Sequence, residues 1–269
     1  MAELEYTLTN DTLFKMLFVK YPDLLKRLVS KVLGLAVDDI TEFTITNPEM
    51  PPQNVGEKFC RLDINMTVNA QQVNIEVQVK DEGDYPLRSL YYWARNYSSA
   101  LKEGGKYYNL PRTIVINIVD FELFKDTADF HSEFRALEIT RHTELTDRMS
   151  LHYFELPKLP EIAEADAGDE LKLWLALFNA KTEEDLSKLK NKGGIMEQAV
   201  LAYKSVAESN ELRESLRLSE LARYNEASAL AFAERKKALN IAAKLKAKGL
   251  CIADIADATG LSVDDIMPL

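Results

Sequence analysis

Hydrophobic positions in the first third of the chain recur at two different periods, and each period predicts its own kind of element. Between residues 9 and 33, Leu13, Phe14, Leu17 and Phe18 return at helical spacing. Thr9, Asn10 or Asp11 can cap the start of that helix. Tyr21-Pro22 breaks it, and Pro22 suits the first turn of a second helix. Leu24, Leu25, Leu28, Val29, Val32 and Leu33 give the second helix its apolar face, and Gly34 is a natural C-cap. A short strand is expected at 42–46. Residues 47–56, with prolines and turn formers, read as a loop.

From residue 59 the period falls to two. Leu62, Ile64, Met66 and Val68 alternate with Arg61, Asp63, Asn65 and Thr67. Val73, Ile75, Val77 and Val79 alternate with Asn74, Glu76, Gln78 and Lys80. These are two strands with one apolar face each. The link Asn69-Ala70-Gln71-Gln72 joins them as a hairpin. A turn closing symmetrically about that link sets Asp63 opposite Gln78 and diagonal to Glu76, all three on one face. A one-residue slip would turn one strand's polar set into the core, so the facing is well specified. A polar strand face is most simply a solvated one. Two acids converging from adjacent strands point further, because like charges repel unless a cation neutralises them.

Residues 85–102 read as an amphipathic helix. Leu87, Leu90, Tyr91, Ala94, Tyr97 and Leu101 are expected on its buried side, with Arg88, Tyr92 and Arg95 on a separate stripe. Gly104-Gly105 ends it. Thr113 to Val119 is a nearly continuous apolar run, as suits a central strand covered on both faces. Leu151 to Leu156 is a further candidate strand. Beyond Pro160 the strand pattern disappears, and residues 169–190 and 195–248 look helical. The end, 238–266, reads as three short helices, broken by Gly249 and Gly260, with Ser262 capping the third. The expected organisation is an α/β core with a mixed sheet at 1–160, a helical region at 161–235 and a small helix-turn-helix-like tail at 236–269. Asp264 and Asp265 on the last helix would repel phosphate, so packing or oligomerisation is the role expected of the tail.

Composition narrows the class. Of 269 residues, 46% are hydrophobic and 28% charged, values that go with a globular core. No run approaches the ~20 apolar residues of a membrane helix, and the polar start is unlike a secretory signal. A cytoplasmic protein is expected. Cys60 and Cys251 form no CxxC pair and read as reduced, buried or half-buried residues. His131, His142 and His152 lack the spacing of zinc ligands. The net charge of -10 argues against a DNA binder that works by overall charge. A basic groove or a bound metal can still reverse the sign locally.

The chemistry therefore centres on the hairpin. Asp63 and Glu76 offer hard oxygen ligands suited to Mg²⁺, with Mn²⁺ as the alternative. Gln78, two residues on and on the same face, is placed to orient water or phosphate.

Several ordered segments resemble one family. They are NDTLFKMLF at 10–18, RLDINM at 61–66, VNIEVQ at 73–78, LRSLYYWARNYSSAL at 87–101, GGKYYNLPRTIVINIVDF at 104–121 and KGLCIADIADATGLSVDDI at 248–266. Together they are similar to the recombination-promoting nuclease and transposase family of bacteria, a branch of the PD-(D/E)XK nucleases. The likeness covers most of 9–155 and returns in the tail. It implies a restriction-endonuclease-like core and metal-dependent hydrolysis of DNA, linked to recombination or mobile elements. Residue by residue, the family's catalytic Asp, Glu and Gln fall on Asp63, Glu76 and Gln78. The acid of its DxxFK motif falls on Asp11, with Lys15 following. Leu62 stands where the superfamily name has Pro, without chemical consequence. Gln78 stands where the wider superfamily has Lys, so this position brings no positive charge to a transition state.

Lys15, Lys80, Arg88 and Tyr92 are the candidate contacts to the DNA backbone, with solvated lysines and an ordinary surface stripe as the plainer readings. Arg235, Lys236, Lys237, Lys244, Lys246 and Lys248 form a basic run that could touch phosphate or simply solvate a packed helix. The C-terminal helices are also a candidate surface for homo-oligomerisation. The main rival to a nuclease is a silent binding module that keeps the fold, favoured by Gln78 and by the acidic charge.

Overall fold

The computed structural model describes residues 2–46, 49–50, 60–61, 63–162 and 168–269, with the backbone alone at 49–50, 60–61, 223, 226 and 230. Asn10 caps the first helix, α1 (Asp11–Lys20), accepting the Leu13 amide on Oδ1 at 3.1 Å. Pro22 opens α2 (Pro22–Leu33), and Gly34 closes it at φ 66°. The strands β1 (Phe43–Thr46), β4 (Ile64–Val68), β5 (Gln71–Gln78), β6 (Thr113–Val119), β7 (His131–Phe134) and β8 (Met149–Glu155) build one sheet in the order β1-β4-β5-β6-β8-β7. β2 (Glu49–Met50) and β3 (Cys60–Arg61) form a separate two-stranded ladder. The loop expected at 47–56 and the Cys60 side chain fall mostly outside the described residues.

The sheet is mixed. β5 pairs parallel with β6, and β6 parallel with β8, while the remaining pairs are antiparallel. The helix α3 (Tyr85–Ser99) lies between β5 and β6 in the chain, as a parallel connection requires. All seven residues of β6 are buried, in keeping with its apolar run. The edge strand β7 was not legible in the sequence, because His131-Ser132-Glu133-Phe134 has no hydrophobic alternation.

The hairpin register differs from the symmetric one. Ile64 pairs with Ile75 and Val68 with Gln71, so the turn is the two residues Asn69-Ala70 and both glutamines belong to β5. Both turn residues have positive φ, 47° and 61°, as in a type I′ hairpin. Asn69 tolerates that region and its Oδ1 accepts the Thr41 and Glu42 amides. Ala70 carries a Cβ penalty there. Ala70→Gly should therefore stabilise the fold by about 1 kcal/mol, read as a shift in the urea midpoint at unchanged slope.

α3 presents the opposite side from the one its hydropathy suggested. Tyr85, Ser89 and Asn96 are buried, while Leu87 is 72% and Leu90 42% exposed. The reason lies in the sheet. The face bearing Asn74, Glu76 and Asn117 is covered rather than solvated, and a polar face calls for hydrogen-bonding partners above it. α3 supplies them. Tyr85 Oη and Ser89 Oγ each donate to Asn117 Oδ1 at 3.0 Å. Trp93 Nε1 reaches the Thr113 carbonyl at 3.0 Å.

At the other side of the sheet β7 and β8 bring two histidines together. His131 Nε2 lies 3.1 Å from His152 Nδ1, and Ser150 Oγ lies 2.9 Å from both His152 Nε2 and Glu133 Oε1. Burial is the main cause that holds His152 down to about 4. In the unfolded chain this imidazole takes its proton near its ordinary value of 6.5, so the folded state loses stability as pH falls from about 6.5 to about 4. The window corresponds to about 3 kcal/mol. Urea unfolding of wild type and His152→Asn across that range should show the wild type losing more by roughly this amount.

The helices α4 (Glu170–Asn179), α5 (Glu183–Lys190), α6 (Gly194–Ala207) and α7 (Asn210–Ala247) come next. α5 begins with a capping box, Thr182 with Asp185. α1 and α4 meet through Phe14, Phe18, Trp174 and Phe178. The chain divides into two compact units, Met1–Leu212 and Arg213–Leu269. In the second, the end of α7 with α8 (Ile252–Thr259) and α9 (Val263–Ile266) encloses Ala242, Ile255 and Ile266. The first of the three short helices expected there is thus the end of a 38-residue helix. Gly260 and Ser262 cap as expected. Cys251 is exposed, not half-buried, and its Sγ accepts the Asp254 amide as the cap of α8. Asp265 pairs with Arg235, and Lys246 donates to the Ile266 and Met267 carbonyls. Among the described residues no helix is long and apolar enough to cross a membrane.

Candidate active site

Because β4 pairs Ile64 with Ile75, the next residue toward its start, Asp63, comes level with Glu76 rather than with Gln78. The shift is two residues, so all three side chains keep the facing that the alternation set. The two acids then hold each other's strand. The Asp63 amide donates to Glu76 Oε1 at 3.3 Å, and the Val77 amide donates to Asp63 Oδ2 at 2.8 Å. Where the β4 ladder ends, the Asp63 carboxylate takes the place of a ladder carbonyl.

Both carboxyl groups sit in an environment hostile to negative charge. Glu76 is 6% exposed. Burial, then the charge of Asp63, lift its carboxyl well above the usual carboxylate range. Burial, then the nearby Asp11, push Asp63 up to about 6, against the opposing pull of Lys15. Lys15 Nζ bridges the acids of helix and strand, 2.6 Å from Asp11 Oδ1 and 3.3 Å from Asp63 Oδ1. Asp11 is the more exposed end of that bridge.

Gln78 has both amide ends engaged. Its Nε2 donates to the Lys80 carbonyl at 2.8 Å, and its Oε1 accepts from Arg88 Nη2. Arg88 also pairs with Glu82 at 2.9 Å and lies over the Tyr85 ring at 4.9 Å. The geometry thus brings together Asp11, Lys15, Asp63 and Glu76, and, one step along β5, Gln78 with Arg88. Lys80 is exposed at the strand's end, and Tyr92 is half-buried on α3.

Asn117 was missed in the sequence. It stands level with Glu76 on the parallel neighbour β6. Its Nδ2 donates to the His152 carbonyl at 2.9 Å, while Tyr85 and Ser89 satisfy its oxygen. The signal was present, since an amide inside the run Thr113–Val119 is the kind of buried polar residue that asks for an explanation.

Among the described residues no three His, Cys, Asp or Glu side chains converge in a ready-made metal cluster. The donors on offer are the two strand carboxylates. That set is compatible with a hard cation such as Mg²⁺, which commonly takes one or two protein carboxylates and completes its shell with water and substrate phosphate. The repulsion between Asp63 and Glu76 is what such a cation would relieve.

No curated protein and no solved structure matches the chain. A family model described as PD-(D/E)XK nuclease family transposase matches residues 8–233, a span that takes in α1, the mixed sheet and the paired acids, and the chain belongs to that family.

Proposed function

We propose that the protein is a metal-dependent DNA endonuclease that hydrolyses phosphodiester bonds, with a role tied to recombination or mobile elements. The observation that carries this reading is the reciprocal pair of acids, half-buried Asp63 and buried Glu76, at the end of a hairpin inside a nuclease-family sheet. Asp63 and Glu76 would hold Mg²⁺ or Mn²⁺, which when bound lowers the pKa of a water and offsets charge on the phosphate. Asp11 steadies the site from α1 through Lys15. Gln78, fixed at both ends of its amide, orients the water or the phosphate. Arg88 backs Gln78 and brings the positive charge that an amide lacks. Lys15, Lys80 and Tyr92 face the DNA backbone. In this reading the catalytic residues lie within 1–160, followed by the helical regions 161–235 and 236–269, and the protein works in the bacterial cytoplasm, where it meets DNA.

Homo-oligomerisation through the C-terminal helices belongs to the same proposal. Leu218, Leu221, Tyr224 and Phe232 stand exposed along α7, and a helix gains most of its stability from packing. Sedimentation of the full chain would test it, and a monomer at all concentrations would remove it.

A second reading, a silent binding module, is favoured by the engagement of both ends of the Gln78 amide with Lys80 and Arg88. Nicking of supercoiled plasmid in Mg²⁺ or Mn²⁺ separates the two. Metal-dependent cutting supports the nuclease; none in either metal, from folded protein, supports the module.

A further inference from the structure

We propose that Lys15 is a built-in counter-ion that occupies the cation-facing oxygen of the site, so that a divalent cation must displace it in order to bind. The inference rests on the reading of Asp63 as a cation ligand. Asp63 has two carboxylate oxygens. Oδ2 is committed to the Val77 amide at 2.8 Å, inside the hairpin. Oδ1 is the oxygen on which Lys15 Nζ sits, at 3.3 Å. Glu76 Oε1 is likewise committed, to the Asp63 amide. A cation that binds Asp63 at the oxygen not engaged by Val77 therefore meets the ammonium already there.

The helix makes this exchange feasible. Asp11 and Lys15 are four residues apart on α1 and share one face, with Nζ 2.6 Å from Asp11 Oδ1. The lysine carries a compact charge on a flexible stem. When displaced from Asp63 it keeps Asp11 as its anchor, and its charge stays beside the site instead of leaving for solvent. Without a cation, the same ammonium relieves the repulsion between Asp11 and Asp63, which would otherwise be two acids facing each other across helix and strand. Lys15 thereby sets the affinity of the site for a cation, independently of any contact with DNA.

The test is calorimetric titration of Mn²⁺ alone, without DNA, into the full chain at pH 8. It compares wild type, Lys15→Gln, Lys15→Met, Lys15→Arg and Asp63→Asn, each checked for folding by circular dichroism. Removal of a unit charge a few ångströms from the incoming cation should tighten Mn²⁺ binding by about tenfold in Lys15→Gln and Lys15→Met. Lys15→Arg keeps the charge and should stay close to wild type. A lysine that merely braces the fold predicts unchanged or weaker binding in the neutral variants. That outcome, with wild type binding and Asp63→Asn not binding, overturns this inference alone. If neither wild type nor the neutral variants bind Mn²⁺, or if Asp63→Asn binds like wild type, the metal reading of Asp63 falls and the inference with it.

Discussion

Asp63→Asn and Glu76→Gln are each expected to reduce metal-dependent DNA cleavage by about a thousandfold, because a metal's contribution of several kcal/mol converts at about 1.4 kcal/mol per factor of ten. Neither change should unfold the protein. Asn and Gln keep an oxygen that can accept the Val77 or Asp63 amide, and they remove a charge that burial disfavours. The melting temperature should accordingly hold or rise, by a few degrees for each kcal/mol recovered. Paired nicking assays and thermal melts check both halves. A loss of activity that tracks a falling melting temperature would assign the effect to unfolding. Full activity in either variant would mean that the acids are not the metal site.

The second large effect lies outside the acids. Asn117→Leu should destabilise the first unit by about 3 kcal/mol, since buried donors left without partners cost about 1–3 kcal/mol each. Tyr85 Oη and Ser89 Oγ would lose their shared acceptor, and the His152 carbonyl its donor. Urea unfolding measures this directly. Asn117→Asp restores an acceptor but sets a third acid level with Glu76, so it should recover little. Recovery to wild-type stability would show that the acceptor alone matters.

Much of this was written in local pattern. The two strands of the hairpin, a cap among Thr9, Asn10 and Asp11, the caps at Gly34 and Gly260, and the run at Thr113–Val119 each follow from short-range rules, and the structure has them as β4 and β5, Asn10, Gly34, Gly260 and β6. The register was not, because it depends on whether four residues or two make the turn. Asn69-Ala70 is a poor match to the Asn-Gly signature, and nothing nearby shows that Ala70 accepts φ of 61°. The orientation of α3 was also illegible. Hydropathy assumes that a helix buries its apolar stripe. Here the covered sheet face is polar, so the stripe that packs is Tyr85, Ser89 and Asn96. Only the neighbours of Glu76 and Asn117 reveal it. The site followed the same division. Which acids share a face was legible; that Lys15 bridges from α1, and that Arg88 is tied to Gln78, depends on tertiary placement.

The crossed hydrogen bonds of Asp63 and Glu76 also bear on how such a site decays over generations. Each acid is held by the backbone of the opposite strand, so each is part of the other's scaffold. A lineage released from selection for cutting can exchange an acid for its amide and keep the hydrogen bond, but an apolar replacement at one position loosens the support of the other. Relatives that no longer cleave DNA should therefore tend to carry an acid or its amide at both positions, or at neither. A survey that finds many chains with an acid or amide at one position and apolar residues freely varied at the other would count against the two having drifted as a unit.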